Sequence, residues 1–291
     1  RSFHNEVDDL LRDERWTKQE IFTDIRLKSK NLRSSPFQNI KLRTIIVDDF
    51  GPDGTFIWPP EPRRKKAYYG EIEYNLKSRQ ILKPKELKLN YIYGFNENIN
   101  IVNCLQLTSK IEKSYNKSSD KIRWRFFAGY HFNQDISKQY SFYISGKNGR
   151  TDYLYDNIYL GRNSSNQEHL LSRQNDNSYG GFKVMDTTLR TNSWMISNNF
   201  KMDIPKLPIG IFTDLGIFKS SVGDNKIKWG YNAGIYTSIV VNEEIIGIYL
   251  PILYSDNIGG TLNDFKVLQR INFIFNLKSI NPFTIRKTIK P

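Results

Sequence analysis

The chain has 291 residues, 38% of them hydrophobic, with a mean hydropathy of −0.56 and a formal net charge of +13. Its longest apolar run, IIGIYLPILY at 245–254, is about half of the roughly 20 residues a transmembrane helix needs, which excludes membrane helices. Spanning strands are not excluded, because each needs only about 9–11 residues with every second one apolar.

The chain opens on Arg1 without a charged-then-apolar leader, which predicts a processed or trimmed piece of something longer. Residues 1–20, RSFHNEVDDLLRDERWTKQE, place acidic residues early and space Val7, Leu10, Leu11 and Trp16 at roughly helical intervals. They predict a short N-terminal helix or linker. From residue 21 onward the period changes to two, and 21–291 reads as one β domain. Strands are expected near 21–32, 38–48, 65–77, 85–96, 100–113, 121–132, 139–148, 191–204, 209–218, 227–239, 243–254 and 267–277. Most run 10–14 residues, against about 5–6 in an ordinary globular sheet.

The alternation is strict. In KIRWRFFAGYHF, Ile122, Trp124, Phe126, Ala128 and Tyr130 oppose Arg123, Arg125, Gly129 and His131. In AYYGEIEYNLK, Tyr68, Ile72, Tyr74 and Leu76 oppose Glu71, Glu73, Asn75 and Lys77. Aromatic residues gather near strand ends, as the interfacial girdles of a membrane barrel require. Tyr91, Trp124, Trp194, Trp229 and Tyr249 are the girdle candidates. Connections are uneven: KLP at 206–208 and VNEE at 241–244 are short, whereas 51–64 and 150–190 are long. Short turns at one end and long loops at the other are what an outer-membrane barrel shows. Near the end of the chain, LQRINFIFNL puts Ile271, Phe273, Phe275 and Leu277 on one face, expected to meet lipid, and Arg270, Asn272 and Asn276 on the other. It is the expected closing strand, pairing with the first.

Candidate chemistry is sparse. His4, His131 and His169 lack metal-ligand spacing, and HNEVDD at 4–9 lacks the second histidine of a zinc-peptidase helix. A lone Cys104 excludes an internal disulfide and a multi-cysteine metal site. No nucleophile elbow, phosphate loop or dinucleotide fingerprint occurs. The expectation is therefore no catalytic residue, no metal and no cofactor within this chain. Lys and Arg are scattered, with one short cluster, RRKK at 63–66, which argues against a phosphate-tracking face and nucleic acid as a partner.

One constellation stands out. The long loop carries DYLYDNIYLGRNSSNQ at 152–167 and YGGFKV at 179–184, followed by SWMISNNFKMDIPKLPIGIFTDLGIF at 193–218. Alternation places Asp214 opposite Ile211, Leu215 and Ile217, so in a barrel it points inward and needs a cationic or hydrogen-bonding partner. The succession of a GR-bearing loop, a GGF segment, IFTDLG, YNAGIYTSI, EIIGIYLPILYS and a terminal INFIFNL resembles the last strands of the bacterial surface-antigen barrels, the superfamily of the outer-membrane assembly factor. That resemblance implies an inward-folded loop whose arginine, here Arg162, meets Asp214, with Gly161, Gly180, Gly181 and Gly216 as loop and strand glycines. This chain reads LGRN where those barrels carry an RGF-type motif.

Over 65–291, YDNIYLGR, GGFKV, LPIGIFTDLG, EIIGIYLPILYSD and INFIFNLKSINPF resemble the C-terminal barrel of Gram-negative gluzincin-type aminopeptidases. The fold expected is a transmembrane antiparallel β-barrel of about twelve strands with the long loop in its lumen. The function expected is an outer-membrane anchor displaying an upstream domain, by resemblance a zinc aminopeptidase, with outer-membrane lipid as a partner. Two alternatives stand beside it: a surface-antigen-type translocase or insertase, and a soluble basic β-protein binding glycan or nucleic acid.

Overall fold

The computed structural model describes residues 2–3, 16–27, 36–49, 65–78, 84–96, 99–115, 120–149, 151–160, 173–184, 189–222, 225–240, 244–258 and 266–276. The strands in chain order are β1 (Ser2–Phe3), β2 (Trp16–Arg26), β3 (Phe37–Asp49), β4 (Lys65–Lys77), β5 (Lys85–Asn96), β6 (Ile99–Ser114), β7 (Lys121–His131), β8 (Phe142–Tyr143), β9 (Gln174–Asn175), β10 (Arg190–Thr191), β11 (Trp194–Asp203), β12 (Gly210–Lys219), β13 (Ile227–Val240), β14 (Glu244–Tyr254) and β15 (Asn272–Phe275). Thirteen of them form one sheet in the order β1-β2-β3-β4-β5-β6-β7-β11-β12-β13-β14-β15-β9. All pairs are antiparallel except β15 with β9, which is parallel through Phe273↔Gln174 and Ile274↔Asn175. Hydrogen bonds do not close this sheet into a barrel among the described residues: one end is β1–β2 and the other β15–β9.

The period-two pattern sets the sheet's two faces. Along β7, Arg125, Phe127, Gly129 and His131 are buried, while Ile122 and Tyr130 are exposed. Along β4, Glu71 is 5% exposed and its neighbour Ile72 is 51% exposed. A charged residue turned in beside an isoleucine turned out inverts the usual rule for a sheet in water. The same inversion recurs in β12, where Asp214 is 1% exposed and Leu215 is 46% exposed.

The buried face is filled by the chain between β7 and β11, hereafter the inner segment. Its Tyr140, Phe142, Ile144, Tyr153, Tyr179 and Phe182 pack in one cluster with Ile45 of β3, Tyr69 of β4, Ile92 of β5, Cys104 of β6, Phe127 of β7 and Met195 of β11. Strands from β3 to β12 thus share one core, which requires the sheet to curl around the segment. The interior is accordingly half aromatic, where alternation alone predicts a polar lining. The inner segment brings Tyr140, Phe142, Tyr153, Tyr179 and Phe182 against Tyr69, Phe127 and Phe218 of the wall, and a strand pattern cannot show what will be laid against it.

Three expected elements differ. Residues 2–3 and 16–20, expected in a helix, are strand; Trp16 to Arg26 pairs residue by residue with Asp49 to Asn39 of β3. Lys18 and Glu20 turn inward to charged partners, so tertiary pairing overrides the helical spacing. Residues 139–148 form no spanning strand. Phe142, Tyr143 and Ile144 are consecutively buried, and short all-round burial leaves no period to read. Finally, β15 holds four residues and pairs with β14 and β9, not with the first strand. Residues 267–270 before it form a 3-10 turn.

Candidate functional site: the inner segment and its docking row

The site is a row of inward side chains crossing four neighbouring strands. Pairing sets Arg125 of β7 opposite Asn199 of β11, Asn199 opposite Asp214 of β12, and Asp214 opposite Asn232 of β13. Because cross-strand partners lie about 5 Å apart and share a face, four polar residues fall in line. Arg125 Nη1 donates to Asn199 Oδ1 at 2.8 Å, and Asn199 Nδ2 donates to Asp214 Oδ1 at 2.9 Å. Asn232, fully buried, has no hydrogen-bond partner for either side-chain atom among the described residues.

Backbone from residues 179–183 seats on this row. Arg125 Nη2 donates to the Tyr179 carbonyl at 2.9 Å, Asn199 Nδ2 to the Gly180 carbonyl at 3.0 Å, and Lys183 N–H to Asp214 Oδ2 at 3.1 Å. The two glycines explain how this stretch can come so close to the wall. A Cβ at Gly180 would run into the Ile144 carbonyl. Gly181 has φ +63°, and a Cβ there would lie 2.9 Å from Arg125 Nη1. Gly216 on β12 plays the reciprocal part, since a Cβ on it would stand 3.1 Å from the Phe182 ring. GGFK and DLG are therefore two halves of one contact.

The opposite wall holds the segment by charge. Asp156 accepts from Lys18 Nζ at 2.7 Å and Arg43 Nη2 at 2.7 Å, and Arg43 also contacts Glu71 at 2.8 Å and Glu20 at 3.1 Å. Burial would raise the Asp156 carboxyl, but Arg43 and Lys18 outweigh it and hold the group well below the usual carboxylate range. Nearby Lys147 is stacked over Tyr153 and Tyr179. Burial alone would lower its ammonium; Tyr179, Asp152, Asp176 and Asp156 hold it above the usual lysine range. Burial pushes the Tyr179 phenol up to about 12, against the Lys147 charge.

A third set of contacts reaches the far end of the sheet. Gln174 Nε2 donates to the Phe275 carbonyl at 3.1 Å, Asn272 Nδ2 to the Lys183 carbonyl at 2.9 Å, and Asn177 Nδ2 to Glu244 at 3.1 Å. The segment thereby ties β2 and β3 to β14 and β15, bridging the two ends that backbone pairing leaves apart.

The expected site residues fall as follows. Asp214 faces inward, with its oxygens taken by Asn199 and the Lys183 amide. Arg162 and Gly161 lie outside the described residues; the arginine in the docking row is Arg125. Gly180, Gly181 and Gly216 sit at the dock. Ile271, Phe273 and Phe275 are half-buried on the outward face, opposite buried Asn272 and Ile274, and Leu277 lies outside the described residues. Of the girdle candidates, Trp229 is 60% exposed, and Tyr91, Trp124 and Trp194 are half-buried. Trp124 stacks on outward Phe200. Tyr249 requires correction: it is fully buried, stacked on Tyr236 and edge-on to Phe212, because Ile246, Ile248 and Ile252 occupy the outward parity of β14.

Sequence reasoning missed Arg125, Asn199 and the Lys18–Arg43–Asp156 cluster. Alternation already put Arg125 on the face opposite Trp124 and Phe126, but nothing in one sequence says which part of the long loop it meets. No protein-family model matches the chain, and no curated protein matches it in sequence.

Proposed function

We propose that the chain is a transmembrane β-barrel of a Gram-negative outer membrane that anchors an associated domain, with the inner segment as its fixed plug. The observation that carries this reading is the inverted sheet: charge and amide inside, isoleucine and leucine outside. Ile72, Leu89, Leu105, Ile122, Ile196, Leu215, Ile235 and Ile248 are each 36–51% exposed on the eight neighbouring strands from β4 to β14. Water penalises such a belt, whereas lipid accommodates it. Strand length agrees. Strands of 11–14 residues, at about 3.3 Å per residue and tilted ~40°, cover roughly 28–35 Å, the thickness of a bilayer core. No helix among the described residues is long and apolar enough to cross a membrane, which leaves strands as the spanning elements.

Closure of the wall rests on the inner segment, which bridges the two ends of the sheet, and completes the barrel in this reading. The associated domain is, by the resemblance of YDNIYLGR, GGFKV and EIIGIYLPILYSD, a zinc aminopeptidase of the gluzincin type that lies outside this chain. A second reading, a surface-antigen-type translocase, is favoured by the docking of GGFK on Asp214. In the anchoring reading the segment stays docked; in the translocase reading it must leave.

The experiment joins the docked segment to the wall through Asn177→Cys and Glu244→Cys, whose native side chains meet at 3.1 Å, with a reducible bis-thiosulfonate cross-linker in a Cys104→Ser background, scored in cells for display of the associated domain. Anchoring predicts that display and membrane insertion are unchanged by cross-linking. Loss of function on cross-linking, restored by reductant, overturns the fixed plug and favours translocation.

A further inference from the structure

The inner segment does not fill the whole interior. Toward the end of the sheet with the short turns, a cavity of about 420 Å³ is left between β4–β7, β11, β13–β15 and residues 157–159 and 174–177. Eight basic residues line it, against four acidic ones, Glu86, Glu112, Asp176 and Glu244. Four of the cations are answered: Arg123 by Asp203 at 2.7 Å, Lys201 by Glu244 at 2.8 Å, Lys121 by Glu112 at 3.1 Å and Lys110 by Glu86 at 3.8 Å. The other four, Lys77, Lys85, Arg125 and Lys183, make no ion pair among the described residues. Two of these line the interior of the cavity. Lys183 is 3% exposed, and its ammonium reaches only the Gly181 carbonyl and the Tyr249 ring, 5.3 Å away. Arg125 is 9% exposed, bonded to an amide and a carbonyl, with Nε left without a partner.

Two buried cations share one nearby carboxylate, Asp214, whose oxygens are already taken. Asp176 also acts on Arg125, but it is bound by Ser178, Asn157 and the Lys147 amide, with the Lys147 ammonium beside it. Burying unanswered positive charge is costly unless something negative joins it. A narrow polar recess walled by protein also concentrates counter-ions of one sign.

We propose that this recess is a binding site for a phosphate dianion, free or as a phosphomonoester, held by Lys183 and Arg125 and guided in by Lys77 and Lys85. A dianion answers both inner cations, whereas a carboxylate answers one. Arginine and lysine together are the side chains that suit a phosphate. The volume leaves room for an organic substituent. Burial lowers the Lys183 ammonium to about 8, and Arg125 and Lys201 push the same way, while Asp214 and Glu244 act against them. A bound dianion would therefore be released above that pH as Lys183 loses its charge, and held less tightly below about pH 6, where a phosphomonoester takes up a proton.

The test is equilibrium dialysis of the full chain in detergent micelles against labelled inorganic phosphate, at constant ionic strength in chloride. It does not depend on the membrane reading, since a chain that proves soluble is dialysed without detergent. Expected are saturable binding of about one phosphate per chain, displacement by glycerol phosphate and by sulfate, and much weaker displacement by acetate. Lys183→Gln is expected to weaken binding at least tenfold with circular dichroism unchanged, and Lys183→Arg to restore it and move its loss to higher pH. Lys77→Gln with Lys85→Gln should weaken it two- to threefold. Absence of saturable binding, binding untouched by Lys183→Gln, or acetate displacing as well as sulfate would each overturn the site.

Discussion

The two faces of this sheet follow opposite rules. Outward, β12 offers Ile211, Leu215 and Ile217, each 39–46% exposed. Inward, the same strand offers Phe212, Asp214 and Phe218, none more than 2% exposed. On the inner face the docking row is held by specific partners, Asn232 excepted, so substitution there should cost what the partner loses. On the outer face contacts run only to neighbours on adjacent strands, such as Trp124 on Phe200, so substitution there should cost mainly what the surrounding medium charges. The contrast teaches that stability of this chain is a joint property of an internal polar contact and an external solvent. The two can be perturbed separately.

The largest effect should come from the docking row. Arg125→Ala strips donors from Asn199 and the Tyr179 carbonyl and leaves Asp214 with less positive charge nearby. A loss of about 3–5 kcal/mol is expected, from two buried hydrogen bonds of a charged donor at about 1.5–3 kcal/mol each. It would be read as a lowered melting temperature and new protease cleavage near Tyr179. Next comes the outer face, where Leu215→Arg is expected to cost about 2–4 kcal/mol in a bilayer near its midplane. The same change should cost little in a soluble sheet, where Leu215 already meets water.

A smaller effect is expected at the charged wall. Asp156→Asn should cost about 2–3 kcal/mol, less than a fully buried pair because 24% of the Asp156 side chain is exposed. The sign with pH follows from its depressed carboxyl. Its contribution is complete above about pH 4 and is lost progressively as the pH falls below that. The gap between wild type and Asp156→Asn in acid melts should therefore shrink steadily as the pH falls below about 4, and a gap of undiminished size at pH 2 would contradict the assignment. The smallest effect is at Gly216→Ala, about 1 kcal/mol, because the new methyl presses on the Phe182 ring. Pairing it with Phe182→Leu should recover part of the loss.

How much of this was legible in the sequence depends on what each feature rests on. Long alternating stretches such as AYYGEIEYNLK and KIRWRFFAGYH mark β4 and β7 directly, since a side chain's face is fixed by parity. Asp214 was legible for the same reason, as one carboxylate at inward parity in an otherwise apolar strand. Residues 16–20 were misread because Trp16 completes a helical spacing by chance, and only pairing with β3 reveals the strand. Tyr249 was misread because a tyrosine near a strand end suits both a girdle and a packed interior. Only counting parity from Ile248 separates the two. The Lys18–Arg43–Asp156 cluster could not be read at all. It joins residues 138 and 113 positions apart in the chain through a loop that carries no period.

The central claim is that the outward isoleucines and leucines meet lipid. The most direct measurement labels isoleucine methyls and compares paramagnetic broadening from a lipid-borne nitroxide and from a water-soluble one, with the chain in lipid nanodiscs. The account predicts that Ile72, Ile217 and Ile248 are broadened by the lipid probe, while buried Ile45, Ile92 and Ile144 are broadened by neither. Broadening of Ile72, Ile217 and Ile248 by the aqueous probe alone, on a chain that stays monodisperse without lipid or detergent, would contradict it.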